Sequence, residues 1–101
     1  MTRRMELHNI LKNLPGVSKA YFQPPATVKM TYPCIVYELN NMDTQFADDN
    51  PYVIRKGYTV TVIDPDPDSK IPDYVSKLQY CRFDRFFTVD NLNHFIFKLY
   101  Y

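Results

Sequence analysis

Hydrophobic positions recur along this chain at two different spacings. Over residues 3–14, RRMELHNILKNL, Leu7, Ile10, Leu11 and Leu14 fall at i, i+3, i+4 and i+7, which is one face of a helix. Thr2 stands where a cap belongs, and Pro15-Gly16 supplies the stop. From there the period drops to two. Residues 18–23, SKAYFQ, predict a short strand that Pro24-Pro25 ends, placing it at an edge. Residues 33–39, PCIVYEL, predict a second strand, with Ile35, Tyr37 and Leu39 on one face and Cys34, Val36 and Glu38 on the other. Pro33 is tolerated at its first position, where a ladder donor can be missing. Residues 52–64, YVIRKGYTVTVID, predict a long third strand with an irregularity at Gly57. Beyond that glycine, Tyr58, Val60 and Val62 alternate with Thr59, Thr61 and Ile63.

Between the second and third strands the pattern vanishes. Residues 40–51, NNMDTQFADDNP, are polar and acidic with no period, and read as a long functional loop. After the third strand, DSKIPDYVSKLQY predicts a second helix whose apolar face is Ile71, Tyr74, Val75 and Leu78. Pro72 falls in its first turn, where the missing N–H costs little. The C-terminal stretch predicts two strands, about residues 81–87 and from Leu92 or Asn93 to Tyr101, joined by a turn in VDNLN where Asp90-Asn91 supplies the turn chemistry. Phe95, Phe97, Leu99 and Tyr101 of the last strand alternate with His94, Ile96, Lys98 and Tyr100. The resulting order is α-β-β-β-α-β-β. It predicts a single α+β domain over residues 1–101, a mainly antiparallel sheet of four or five strands with two helices on one face.

Composition changes this picture in one respect. Seven Phe and nine Tyr make 16% of the 101 residues, more than one small core uses, so the second sheet face is expected to be covered by a copy of the same chain. Charge is balanced at net +1, which argues against a dedicated nucleic-acid binder. Cys34 and Cys81 lie far apart in apolar surroundings and read as buried reduced thiols. No secretion signal opens the sequence, and no apolar run approaches the roughly 20 residues that span a bilayer. A soluble protein made in a cytoplasm, with no membrane partner, is expected.

The candidate chemistry is sparse. Asp64, Asp66 and Asp68 alternate as calcium ligands do, but the sixth and twelfth positions of that loop would be Ser69 and Val75, not Gly and Glu. Those aspartates are expected to form a strand-to-helix corner, with Asp68 or Ser69 as the cap. His8 and His94 read as surface or interface imidazoles, and neither cysteine has a neighbour in sequence that would lower its pKa. Gly16 and Gly57 are the only glycines, so there is no phosphate loop. The stretch CRFDRFF superficially resembles an aromatic RNA-binding strand, but Asp84 interrupts its basic residues. No catalytic residue, metal site or cofactor is assigned, and the chain is expected not to be an enzyme.

The order of elements, with YPCIVYEL, FADDNPYV, GYTVTVID and DRFFTVDNLNHFIFKLYY, resembles the tail-terminator, or tail-completion, proteins of long-tailed bacteriophages. The resemblance runs over nearly the whole chain. It implies a virion structural subunit at the junction of tail and neck, assembled in the host cytoplasm. The partners it implies are copies of itself in a hexameric ring, the tail tube protein and a head-side connector, with DNA passing as non-specific cargo. Asp43, Asp48 and Asp49 would then face the lumen and repel the DNA backbone. Asp64, Asp66, Arg55, Arg85, Tyr100 and Tyr101 are the candidate subunit-interface residues. Two alternatives stay open, a head-completion or neck protein of the same junction and a small nucleic-acid-binding adaptor.

Overall fold

The computed structural model describes residues 3–47 and 50–101, and within residues 41–55 it describes the backbone only. Its elements are α1 (Arg3–Lys12), β1 (Lys19–Phe22), β2 (Cys34–Ala47), β3 (Asn50–Asp64), α2 (Ile71–Ser76), β4 (Cys81–Val89) and β5 (Leu92–Tyr100). The five strands form one sheet in the order β1-β2-β3-β5-β4. β1 runs parallel to β2, and every other pair is antiparallel. The expected order and the α+β class are therefore what the chain adopts.

Both helices pack on the same face of the sheet. Leu7 and Leu11 of α1 and Ile71 and Val75 of α2 are buried with Ile35, Tyr37, Tyr58, Val60, Val62, Phe97 and Leu99. These strand residues are opposite one another in the register: Ile35 faces Val62, Tyr37 faces Val60, Val60 faces Phe97 and Tyr58 faces Leu99. The alternation seen in the sequence thus becomes one continuous apolar layer under the helices. A smaller cluster of Tyr21, Cys34 and Ile63 lies on the opposite face, where Val28 and Met30 from the β1–β2 connection pack against it. Chain ends and turns follow local chemistry. Gly16 sits at φ +89° after α1, a backbone that favours glycine. Asp90 and Asn91, at φ 53° and 62°, form the two-residue hairpin turn between β4 and β5.

Three expectations change. Residues 40–47 and 50–51 are strand and not loop, because β2 continues to Ala47 and β3 begins at Asn50, and the two strands pair as one long hairpin. The register shifts between Leu39 and Asn41 and again between Gln45 and Phe46, and each shift breaks the period of two that would have revealed the strands. The first shift lies opposite Gly57, where the irregularity was expected, but the extra residue is Asn40 of β2. The second helix is shorter than expected, Ile71–Ser76, and its N-cap is Lys70, which makes no side-chain capping bond. The third change concerns His8, which is not a free surface imidazole; its Nδ1 lies 2.7 Å from the hydroxyl of fully buried Tyr37.

The long hairpin gives the molecule its shape. β1 pairs with β2 only as far as Tyr37, and β5 pairs with β3 only from Gly57 onward. Beyond those points the hairpin is two-stranded, and the principal extents are 51 × 24 × 22 Å. No described helix is long and apolar enough to cross a membrane.

Candidate functional site: an open strand edge

β4 is the last strand of the sheet, and its outer edge pairs with no strand among the described residues. It is also exposed over nearly its whole length: Phe83, Phe86 and Val89 are 53%, 49% and 48% exposed, and Phe87 is exposed as well. Two faces and one edge are therefore open at once, a combination that edge strands normally avoid.

A bulge arranges these side chains. Phe83 faces Phe97 and Arg85 faces Ile96, so Asp84 is the extra residue. Its effect is to put Phe83 and Phe86 on the same face, although they are three residues apart. Both lie on the helix side, where Phe83 meets Phe97 edge-on at 5.5 Å and Phe86 meets Phe95 at 4.9 Å. Arg82, Arg85, Phe87 and Val89 fall on the other side, opposite Lys98, Ile96, His94 and Leu92. Phe87 stacks on His94 at 4.6 Å. Arg82 stands directly opposite Lys98, a like-charge pair that is unfavourable in an isolated sheet.

The residues singled out from the sequence scatter around this edge. Arg85 belongs to it, on the helix-free face. Tyr100 and Tyr101 lie at the far end of β5, where they line a pocket of about 210 Å³ with Arg3, Leu7, Ile10 and Leu78. There the Arg3 guanidinium covers the Tyr101 ring at 4.6 Å, and its Nε–H donates to the Tyr101 carbonyl. Asp43 of β2 is in register with Arg55 of β3 on the hairpin, so it belongs to a strand and not to a loop. Asp48 and Asp49 lie outside the described residues.

Asp64 and Asp66 form the expected corner, by a different route. The Asp66 N–H donates to Asp64 Oδ1 at 2.9 Å, and the Asp68 N–H donates to Asp66 Oδ1 at 2.9 Å. Each aspartate thus folds the backbone two residues on, and Ser69 Oγ takes the N–H of Ile71. Asp68 caps nothing. Asp64 is buried, and the Asn93 amide of β5 donates to its carbonyl oxygen at 3.0 Å, tying the corner to the sheet. Asp64 is therefore a residue of the chain's own framework more than of its surface. Among the described residues no three His, Cys, Asp or Glu side chains converge as a metal site would require.

The nucleophile candidates are quiet. Cys34 is buried and Cys81 half-buried, both are free thiols, and burial pushes each up to about 11, aided at Cys34 by the charge of Asp64. His8 is lowered from its ordinary value by burial first, then by Arg4 and Lys12 on its own helix. The imidazole is therefore neutral at neutral pH. Arg4 Nη1 donates to the Tyr37 hydroxyl at 3.5 Å, and that hydroxyl shares a second hydrogen bond with His8 Nδ1, whose direction follows the imidazole tautomer. Burial also raises the Tyr37 hydroxyl, which keeps it protonated.

Sequence reasoning weighs Phe83, Phe86 and Phe87 only as an RNA-binding strand and misses the open edge that they form with Val89. The sign was present: aromatics at 83, 86 and 87 cannot share one face of a regular strand, so a strand carrying them is either bulged or apolar on both sides. No family model, curated protein or solved structure matches the chain.

Proposed function

We propose that the chain is a structural subunit of a phage virion, which assembles into a hexameric ring, caps the tail tube and stops its growth. The same ring joins the tube to the head-side connector, and DNA passes through its lumen. The observation that carries this reading is the sheet with two unlike open edges, β1 on one side and β4 on the other, of which β4 exposes Phe83, Phe86, Phe87 and Val89. Unlike edges give head-to-tail contacts, and head-to-tail contacts that close make rings.

Other features support it. The two-stranded end of the β2–β3 hairpin projects from the body, and an isolated two-stranded ribbon is marginal in water. A neighbouring subunit or a tube ring would supply the missing partner. Asp43 belongs to this hairpin, so a hairpin directed inward would bring an acidic residue to the lumen. Unreactive, high-pKa thiols and a net charge of +1 suit a scaffold through which DNA moves without being held.

The test is electron microscopy of tubes assembled from the tail tube protein, with and without this chain. Six-fold rings at tube ends and an arrest of growth are expected. Bare ends on tubes that keep lengthening would refute the reading.

A further inference from the structure

We propose that the free protein pairs with a second copy of itself through β4, antiparallel and about a two-fold axis between Asp84 and Arg85. The open edge, its bulge and its charge pattern all lead to that partner.

The strand reads RFDRFF from Arg82 to Phe87. Laid antiparallel on itself about that axis, it sets Phe83 against Phe86, Asp84 against Arg85 and Arg82 against Phe87, each pair occurring twice. Every one of these pairs is favourable: aromatic on aromatic, carboxylate on guanidinium, guanidinium on an aromatic ring. The faces agree as well. Cys81, Phe83, Phe86 and Thr88 all lie on the helix side, and Arg82, Arg85 and Phe87 lie on the other. Cys81 would then meet Thr88 of the second copy on the same face.

The bulge selects this partner over an unrelated strand. Because Asp84 is an extra residue, a straight strand laid on β4 would fall out of phase after it, placing one half of its side chains on the wrong face. A second copy carries the same bulge at the matching place and stays in phase. The pairing also gives Arg82, which faces Lys98 within its own sheet, a ring and a nearby carboxylate.

Such a pair is closed, since each copy's β4 is used up and nothing more can be added at that edge. It hides the exposed aromatics of the free chain. Its role as a reserve form, opened when a tube end offers better contacts, rests on the ring reading; the pairing itself does not.

Thr88→Cys tests it directly. The new thiol would lie against the native Cys81 of the second copy, while within one chain the two positions are at opposite ends of the strand. Under oxidised glutathione at mildly alkaline pH, a covalent dimer is expected from Thr88→Cys and none from Thr88→Cys/Cys81→Ser. Asp84→Arg should abolish the non-covalent dimer in native mass spectrometry, and Asp84→Arg/Arg85→Asp should restore it. A ladder of larger covalent species, or a Thr88→Cys protein that stays monomeric, would overturn the pairing. So would a charge swap that fails to restore the dimer while Asp84→Arg and the swap remain equally folded by circular dichroism. Rings on tubes without a dimer in solution would overturn the pairing and leave the ring reading standing; a dimer without rings would do the reverse.

Discussion

Replacing Tyr37 by Phe removes one oxygen from the centre of the fold and leaves the ring that fills the core. Tyr37 is fully buried on β2, and its ring touches Phe22 at 5.0 Å and Tyr58 at 6.0 Å. Those contacts survive the substitution. What is lost is the bond to His8 Nδ1 at 2.7 Å and the long one from Arg4 at 3.5 Å. Both partners lie on α1 and are only partly buried, so water can take over much of their hydrogen bonding. One good bond and one weak one then amount to about 1 kcal/mol net. For a domain of this size that lowers the melting temperature by roughly 4–8 °C. The pH dependence carries a second signature. His8 is depressed below its ordinary value, so the unfolded chain binds more protons in that window. The stability it contributes is intact above the unfolded pKa of about 6.5 and is lost as pH falls through the folded pKa. The hydroxyl oxygen accepts from the Nδ1–H of an imidazolium, so this bond outlives protonation and the gap between wild type and Tyr37→Phe should persist across that window. Calorimetric melting of both proteins between neutral and mildly acidic pH reads this out. An unchanged melting temperature at neutral pH, or a gap that closes on acidification, would refute the reasoning that α1 is latched to the sheet through this hydroxyl.

Three further outcomes are expected. Gly16→Ala should lower stability by about 1–2 kcal/mol in denaturant titration, because φ is +89° there. A Cβ would meet only ordinary contact with Ile71 at 3.5 Å, so Gly16→Asn should recover part of the loss. Cys34 and Cys81, with folded pKa values of about 11, should react slowly with a thiol reagent at pH 8 and quickly once denaturant is added. Since these raised values mean that the folded chain holds its protons longer, stability should be full below the unfolded thiol pKa and fall as pH climbs toward 11. Asp64→Ala should cost about 1 kcal/mol by removing the acceptor of the Asp66 N–H, whereas Asp64→Asn keeps an oxygen there and should melt close to wild type.

Where the hydrophobic period is regular, the fold is legible in the residues. Val60, Val62, Phe95, Phe97 and Leu99 alternate without interruption, and they form the layer under the helices. Leu7 and Leu11 are buried at helical spacing, while Ile10 of the same expected face is left partly exposed beside the pocket that Tyr100 and Tyr101 line. The errors fall where a bulge intervenes. Asn40 and the shift after Gln45 hide the continuation of β2, and Asp84 hides the fact that Phe83 and Phe86 share a face. A bulge leaves only an indirect mark in the spacing: the aromatics at 83, 86 and 87 call for a bulge or for two apolar faces without deciding between them. Capping of α2 failed for a related reason. Asp64, Asp66 and Ser69 each have the chemistry of a cap, and the backbone used them in succession for turns before the helix began. His8 and Tyr37 are 29 residues apart, so nothing local joined them.

The central claim is that the open β4 edge makes this chain a self-assembling structural subunit. Light-scattering mass measured over a wide concentration range, for wild type beside Phe83→Lys/Phe86→Lys, tests it most directly. Both rings are about half exposed but rest on Phe97 and Phe95, so the double variant should keep its circular dichroism and melt somewhat lower than wild type. The account predicts that wild type rises above the 12.0 kDa of one chain with concentration and that the variant stays there. A wild type that remains a single chain throughout, or a variant that associates just as readily, would contradict it.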